Sequence, residues 1–445
     1  MEPLEPTDSF VVRSGPPLAG SVVLGGAKNS ALKLMAAALL TEGRTRLTNV
    51  PHIIDVETMS DVLISMGVNV TRPGGTGADG ARRGAGAGRA TGDGAADDTI
   101  EIDVPAELRP EAPYELVERM RASVVVLGPL LARCGEAKVS MPGGDDFGHR
   151  PIDMHLRGLE AMGATFEASH GYVVGRAGRL RGARIVLEFP SHTCTDNLLM
   201  AAVLAEGTTV IDNAAREPEV SDLAALLNRM GARITGAGTS TIEVEGVASL
   251  VPAEHEVIPD RVEAATLMAA TAIAGGEVVV VGARPDHMDM FTHKLGEMGV
   301  RCSPCSEGMW VSSEGRIGAV DVATLPYPGV ATDYKPLLVT LLAVSDGVGI
   351  VTENLFAGRF RYIDELRRMG ADIRVEGHHA VVRGVARLSG APVRASDIRA
   401  GAALVLAGLA ADGETVVGGA HHIDRGYEGF DRKLAALGAD IERRR

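Results

Sequence analysis

The sequence predicts an α/β protein of two domains with three repeated units in each, small sheets outside and helices packed inward. Three observations carry this. Six segments repeat one pattern: a small-residue apolar helix, a Gly turn, a strand, a loop, then an amphipathic helix ending in Met-Gly or Leu-Gly before another strand. The closing glycines are Gly67, Gly163, Gly231, Gly299, Gly370 and Gly438, at steps of 96, 68, 68, 71 and 68 residues. A 26-residue stretch at 73–98, almost all Gly, Ala, Asp and Arg, accounts for the long first step. Second, 445 residues exceed one ordinary core, and six units divide evenly between two domains. Third, apolar helical segments such as 36–40 and 402–409 have no clear polar face, as a helix surrounded by protein does. Helix-strand alternation ordinarily gives a doubly wound parallel sheet, but six near-equal copies favour the pseudo-symmetric arrangement.

In chain order, the first dozen residues read as a loose leader with Pro3, Pro6 and Asp8, and alternation over 10–12 and 20–24 predicts short strands. Gly25 and Gly26 precede a helix over 27–40, rich in Ala and Leu. Pro51 and Asp55 fall in a loop, and 56–66 has helical spacing of apolar residues. The stretch 73–98 has the composition of a flexible surface insertion; it contains no GxxxxGK[ST] run and no apolar strand leads into it, so it is not a nucleotide loop. A buried helix over 121–131 precedes an unusual loop at 141–151, with adjacent glycines, adjacent acids and a His-Arg pair, which leads into a helix over 152–162. Further helices fall at 197–205, 220–230, 262–273, 288–298, 335–344, 363–369, 400–410 and 430–437, with short Val/Ile/Thr-rich strands between them.

Composition narrows the function. The formal charge of -14 disfavours nucleic acid as a partner, because phosphate backbones need a basic surface. A local anion site survives that field if a few Arg and Lys converge. With aromatics at 3%, cores must be built from Ala, Val, Leu, Ile and Met. Four cysteines and no signal-peptide pattern suggest a reducing, cytoplasmic setting. Cys302 and Cys305 form a lone CxxC without a second pair or histidines at ligand spacing, so a structural role is expected rather than zinc. No apolar run approaches the ~20 residues of a membrane span.

The candidate site residues lie at the joints between units. Lys28 sits at a helix start, where free N–H groups and the dipole already favour an anion; a Lys there is electrostatically disfavoured unless it serves one. Arg121, Arg150, Arg359, Arg399 and Arg425 each occupy a helix start or a turn. Together with Lys28 they form a candidate anion cage, and Arg suits forked grips on carboxylate and phosphate. Three acids stand out: Asp145, Asp333 and Asp397. Among arginines such acids stay ionised, either in catalysis or in capping helices and orienting the arginines.

These residues carry a family resemblance. Gly26-Ala27-Lys28-Asn29, Arg121-Ala122-Ser123, Pro142-Gly143-Gly144 with Arg150-Pro151, and the run Asn213 to Glu219 are similar to motifs of the enolpyruvyl transferase family. So are Thr332-Asp333, Arg359-Phe360, Asp397-Ile398-Arg399-Ala400 and His422 to Tyr427, and the likeness runs almost end to end. The resemblance implies a two-domain inside-out α/β barrel with pseudo-threefold symmetry in each domain, hinged over a cleft. It implies a C-terminal-type domain of 1–26 with 259–445, and an N-terminal-type domain of 27–258 that carries the catalytic loop 142–151 and the insertion. It also implies the reaction. The 3-hydroxyl of UDP-N-acetylglucosamine attacks C2 of phosphoenolpyruvate and phosphate leaves through a tetrahedral intermediate, without metal or organic cofactor, in a monomer.

By similarity, Lys28, Arg150 and Arg425 hold the phosphate, and Arg359 and Arg399 the carboxylate, with Arg121 lining the same pocket. Asp333 accepts or orients the sugar hydroxyl proton. Asp397 joins Lys28, Asp145, Asp333 and Arg425 as a candidate catalytic residue. Asn29, Arg150, Pro151, Ile152, Asp153, His155 and the segment at Ser191 contact the nucleotide sugar. Two departures stand out. Asp145 replaces the Cys that much of the family carries in this loop, which implies an active enzyme insensitive to fosfomycin. Ser191-His192-Thr193-Cys194-Thr195 differs from the Ser-Val-Gly-Ala-Thr of many members, which leaves open another nucleotide or nucleotide sugar of secondary metabolism as acceptor. A non-catalytic paralogue that binds UDP-sugars is the rival from a different class.

Overall fold

A computed structural model describes residues 8–73, 98–140, 152–356 and 358–445. The chain forms two compact units. One joins the residues up to Gly25 with Pro259–Arg445, and the other lies within Gly26 to Ile258. Each has its own apolar core.

Among the described residues each unit holds three four-stranded sheets, and all six follow one plan: an edge strand parallel to its neighbour, then two antiparallel steps. In the N-terminal unit the orders are Glu254–Glu256, Gly43–Thr48, Ile100–Val104, Asn69–Thr71; then Glu111–Ala112, Glu136–Ser140, Tyr172–Arg176, Thr165–Ser169; then Arg184–Val186, Thr208–Asp212, Thr241–Glu245, Arg233–Thr235. In the C-terminal unit they are Leu18–Val23, Gly276–Val281, Gly308–Ser313, Arg301–Cys305; then Val322–Ala323, Val348–Thr352, His379–Arg383, Asp372–Glu376; then Pro392–Arg394, Glu414–Gly418, Ser9–Arg13, Asp440–Arg444. In the last sheet the third strand comes from the start of the chain: Phe10 pairs with Val417 on one side and Arg443 on the other. The final repeat stops one strand after Gly438, and the leading segment supplies its missing neighbour.

Six helices fill the interiors. They are α1 (Lys28–Ala37), α2 (Leu127–Cys134), α3 (His192–Ala202), α4 (Arg261–Ala274), α5 (Lys335–Val344) and α6 (Ile398–Leu409). Every residue of α6 is buried, as are nine of the ten in α5. The sheets are one-sided: Thr241–Glu245 alternates strictly between exposed and buried residues. Helices inside and sheets outside define the inside-out α/β arrangement expected from the repeats.

The amphipathic helices pack on the sheets' inner faces and end identically. Gly67, Gly163, Gly231, Gly299, Gly370 and Gly438 all have φ between 91° and 104°. In each copy the glycine N–H reaches back three residues, and the next residue's N–H reaches a buried Leu five residues before it: Leu63, Leu159, Leu227, Leu295, Leu366 or Leu434. This is a Schellman motif, whose left-handed residue excludes most side chains. A Cβ at any of the six glycines would meet no atom within 4 Å, so backbone conformation and not space demands glycine. Gly231→Ala is therefore expected to lower stability by about 1–2 kcal/mol, and Gly231→Asn by less, read as a fall in the thermal midpoint.

Some boundaries shift from the sequence reading. Asp55 lies in the first turn of the helix Ile54–Ser65 and not in a loop. The helix expected over 197–205 starts at His192, because Ser191 caps it, accepting from Cys194 N–H at 3.4 Å. The helix expected over 121–131 begins as a 3-10 turn, Arg121–Val126, before α2. Cys302 and Cys305 lie three apart in the strand Arg301–Cys305, so they point to opposite faces. Most of the insertion lies outside the described residues. No helix among the described residues is long and apolar enough to cross a membrane.

Candidate active site

In the C-terminal unit, α5 and α6 start beside one another. Asp397 is the N-cap of α6, in extended backbone, and accepts from Arg399 N–H and Ala400 N–H, both at 3.0 Å. Of the two roles open to Asp397 in the sequence, capping is the one its geometry displays. Asp260 caps α4 in the same way, accepting from Val262 and Glu263 N–H.

The cap leaves Arg399 in the first turn of α6, where a cation opposes the helix dipole and needs a partner. Asp333 supplies it. Arg399 Nε donates to Asp333 Oδ2 at 3.0 Å and Arg359 Nη1 donates to Oδ1 at 2.8 Å. The two arginine side chains are each 4% exposed and the Asp333 side chain 27% exposed, so the carboxylate sits at the rim of a buried cationic pair. Burial alone would raise the Asp333 carboxyl; Arg359 and Arg399 outweigh it and hold the group well below the usual range. Burial alone would likewise lower the Arg399 guanidinium, but Tyr427 and Asp333 reverse this. The Tyr427 ring lies 5.2 Å from that guanidinium. Arg399 Nη1 is buried and has no hydrogen-bond partner among the described residues. The two guanidiniums engage Asp333 with Arg399 Nη1 to spare, a donor that suits a second carboxylate. Arg425 is half-buried directly after the short helix Ala420–Asp424.

In the N-terminal unit, Lys28 opens α1, whose first turn has no acid and no side-chain cap. Its Nζ lies 2.6 Å from the buried Asp55 carboxylate. Asn29 beside it and Arg121 at the head of its 3-10 turn are half-buried. Ile152 is buried, and Asp153 is exposed and paired with Arg157. His155 is buried, with Nδ1 3.0 Å from Asn197 Nδ2; burial pulls its pKa down to about 4 and leaves the ring little surface for a ligand. Asp145, Arg150 and Pro151 lie outside the described residues.

Sequence reasoning passed over a charged cluster behind Ser191. Asp196 is fully buried; His192 Nε2 lies 3.3 Å and Lys33 Nζ 3.7 Å from its Oδ2, and neither oxygen accepts a well-formed hydrogen bond. Burial raises the Asp196 carboxyl to about 7 against the pull of Lys33. A carboxyl whose folded pKa lies above its unfolded value contributes stability that is full below pH ~4 and lost as pH rises to about 7. The loss is of the order of 4 kcal/mol at most. Asp196→Asn should flatten the thermal midpoint between pH 4.5 and 7.5, roughly the window of that titration. The signal in the sequence was a His and an Asp four apart at a helix start, with a Lys inside an apolar helix.

A repeated inside-out fold with a carboxylate held between an arginine at a helix start, Arg399, and one in a turn, Arg359, fits the class expected from the sequence motifs, that of enolpyruvyl transferases. Comparison with known proteins carries this further. The chain matches the model of EPSP synthase (3-phosphoshikimate 1-carboxyvinyltransferase) over residues 12–86 and 89–434, and it belongs to that family. A protein of Nocardia farcinica called UDP-N-acetylglucosamine 1-carboxyvinyltransferase is 51% identical over 438 residues, covering 98% of this chain and 99% of its own. A protein of the same name from Mycobacterium tuberculosis is 49% identical over 436 residues, at the same coverage. Among solved structures, the enolpyruvyl transferase NikO from Streptomyces tendae superposes with a TM-score of 0.85 at 26% identity, covering 98% of this chain and 99% of its own. EPSP synthase from Acinetobacter baumannii superposes at 0.72 with 19% identity, covering 99% and 100%.

Proposed function

We propose that this protein transfers the enolpyruvyl group of phosphoenolpyruvate to the 3-hydroxyl of UDP-N-acetylglucosamine, releasing phosphate, in peptidoglycan precursor synthesis. The observation that carries the reading is the pair Arg359 and Arg399 on Asp333, in a chain about half identical, end to end, to proteins bearing that activity in their name. The donor's carboxylate takes the two guanidiniums, using the spare Arg399 Nη1 donor. Lys28, Arg150 and Arg425 bind its phosphate, and Arg121 lines the pocket. Fixed cations around C2 stabilise the charge of the tetrahedral intermediate.

Asp333 gains a defined part in this scheme. With both oxygens held by guanidiniums it is ionised and weakly basic. A donor carboxylate that draws those guanidiniums to itself raises the basicity of Asp333, which then takes the proton of the attacking hydroxyl. Asp145 protonates C3 of the donor and takes a C3 proton back as phosphate leaves, which restores the C2–C3 double bond, and Asn29, Ile152, Asp153 and Ser191 serve the nucleotide sugar. The protein acts in the cytoplasm as a monomer.

The departure from the family at Ser191-His192-Thr193-Cys194-Thr195 keeps one alternative in play, an enolpyruvyl transferase acting on another nucleotide or nucleotide sugar. The test is phosphate release from phosphoenolpyruvate with UDP-N-acetylglucosamine and with a panel of nucleotides and nucleotide sugars. Turnover confined to another nucleotide would select the alternative. Tight UDP-sugar binding with no phosphate released by any acceptor would mark a non-catalytic paralogue.

A further inference from the structure

The C-terminal unit holds an ion pair that the scheme above does not use. Lys335, the first residue of α5, and Glu353, after the strand Val348–Thr352, have side chains with no exposed surface, and Nζ lies 2.9 Å from Oε2. Glu353 is saturated. Its Oε1 accepts from the Thr324 hydroxyl at 2.7 Å and from Leu355 and Phe356 N–H at 2.8 and 3.1 Å, and its Oε2 accepts from the Thr332 hydroxyl at 2.7 Å. Lys335 Nζ also donates to the Arg359 carbonyl and lies 4.0 Å from the centre of the Phe360 ring. The Thr332 hydroxyl, having donated to Glu353, accepts from Arg359 Nη1 at 3.2 Å. Arg359 is thus fixed at both ends: its carbonyl by Lys335, its guanidinium by Glu353 through Thr332.

The energetics say what such a pair is for. Charges taken out of water are costly, and an apolar pair of similar volume is often as stable or more so. The rest of α5 is apolar apart from Thr340, so an apolar residue at 335 would fit its surroundings. Burial pulls the Lys335 ammonium down to about 8, and Glu353 limits the fall. We infer that Lys335 and Glu353 are positioning residues that hold the Arg359 guanidinium in place, through its carbonyl and through Thr332, to grip the donor carboxylate. The inference rests on assigning Arg359 to that carboxylate.

A single replacement strands the other charge, so the informative variant is Lys335→Met with Glu353→Gln, which keeps an acceptor for Leu355 and Phe356 N–H. The expected result is a preserved thermal midpoint, a KM for phosphoenolpyruvate raised about tenfold, and little change in the KM for UDP-N-acetylglucosamine. Thr332→Val, which cuts the same relay while leaving both charges, should raise the same KM in the same direction. Wild-type KM for phosphoenolpyruvate in the double variant, or in Thr332→Val should the double variant not fold, would overturn the inference. So would an equal rise in both KM values. Arg359→Ala separates the layers. If it leaves the KM for phosphoenolpyruvate unchanged, the carboxylate assignment itself fails; if it raises that KM and the relay variants do not, only the positioning role fails.

Discussion

Asp333→Asn is expected to lower kcat by about 10²–10⁴-fold without raising the KM for phosphoenolpyruvate. The asparagine still offers one oxygen to Arg359 or Arg399, but it cannot take a proton. It also withdraws the negative charge that competes with the donor carboxylate for the two guanidiniums. The two kinetic constants should therefore part: chemistry collapses while donor binding holds or tightens. The pH profile of the unaltered enzyme gives an independent reading. Free, Asp333 is held well below the usual carboxylate range by its two arginines. Once the donor engages them the group regains basicity, so the acidic limb of kcat should lie at higher pH than that of kcat/KM for the acceptor. Coincident limbs, or a variant that loses donor binding and rate together, would show that Asp333 is only a counter-charge.

Arg399→Ala is expected to cost 2–5 kcal/mol, or about 30- to 5,000-fold, in kcat/KM for phosphoenolpyruvate. The loss combines the grip on the donor with a carboxylate, Asp333, left half-paired beside the start of α6. Arg399→Lys should recover little. An ammonium gathers its three donors on one nitrogen and cannot span Asp333 and the substrate with the separated, planar donors of a guanidinium. Recovery to within a few-fold of the unaltered enzyme would mean that charge alone suffices and that the fork is idle. Donor binding by isothermal titration in the presence of the acceptor would register either outcome without turnover.

The repeat was legible because it is written in backbone conformation. Six glycines at near-equal steps mark six left-handed helix ends, and nothing but a small set of residues tolerates them. The buried helices were legible from the absence of a polar face, Arg359 and Arg399 were picked out by their places in a turn and a helix start, and Asp333 by its motif Thr332-Asp333. What a glycine or a charge does alone can be read from sequence; what it meets cannot. Asp55 was visible but not as the partner of Lys28, because 27 positions separate them and no local pattern links them. Lys335 and Glu353 were hidden for the same reason: 18 positions separate them, and no local pattern shows that the two side chains meet out of contact with water. The leading strand was read as a strand, but its place beside Glu414–Gly418 and Asp440–Arg444 depends on a pairing across the whole chain.

That pairing has a consequence for the newborn protein. Phe10 leaves the ribosome about 400 residues ahead of Val417, a wait of roughly 20–80 s at ordinary rates of synthesis. Through that interval the segment has no neighbours on either edge, while residues 26–258 already contain everything their own three sheets require. The middle of the polypeptide can thus mature first, and the opening strand must stay soluble and uncommitted until the last one emerges to enclose it.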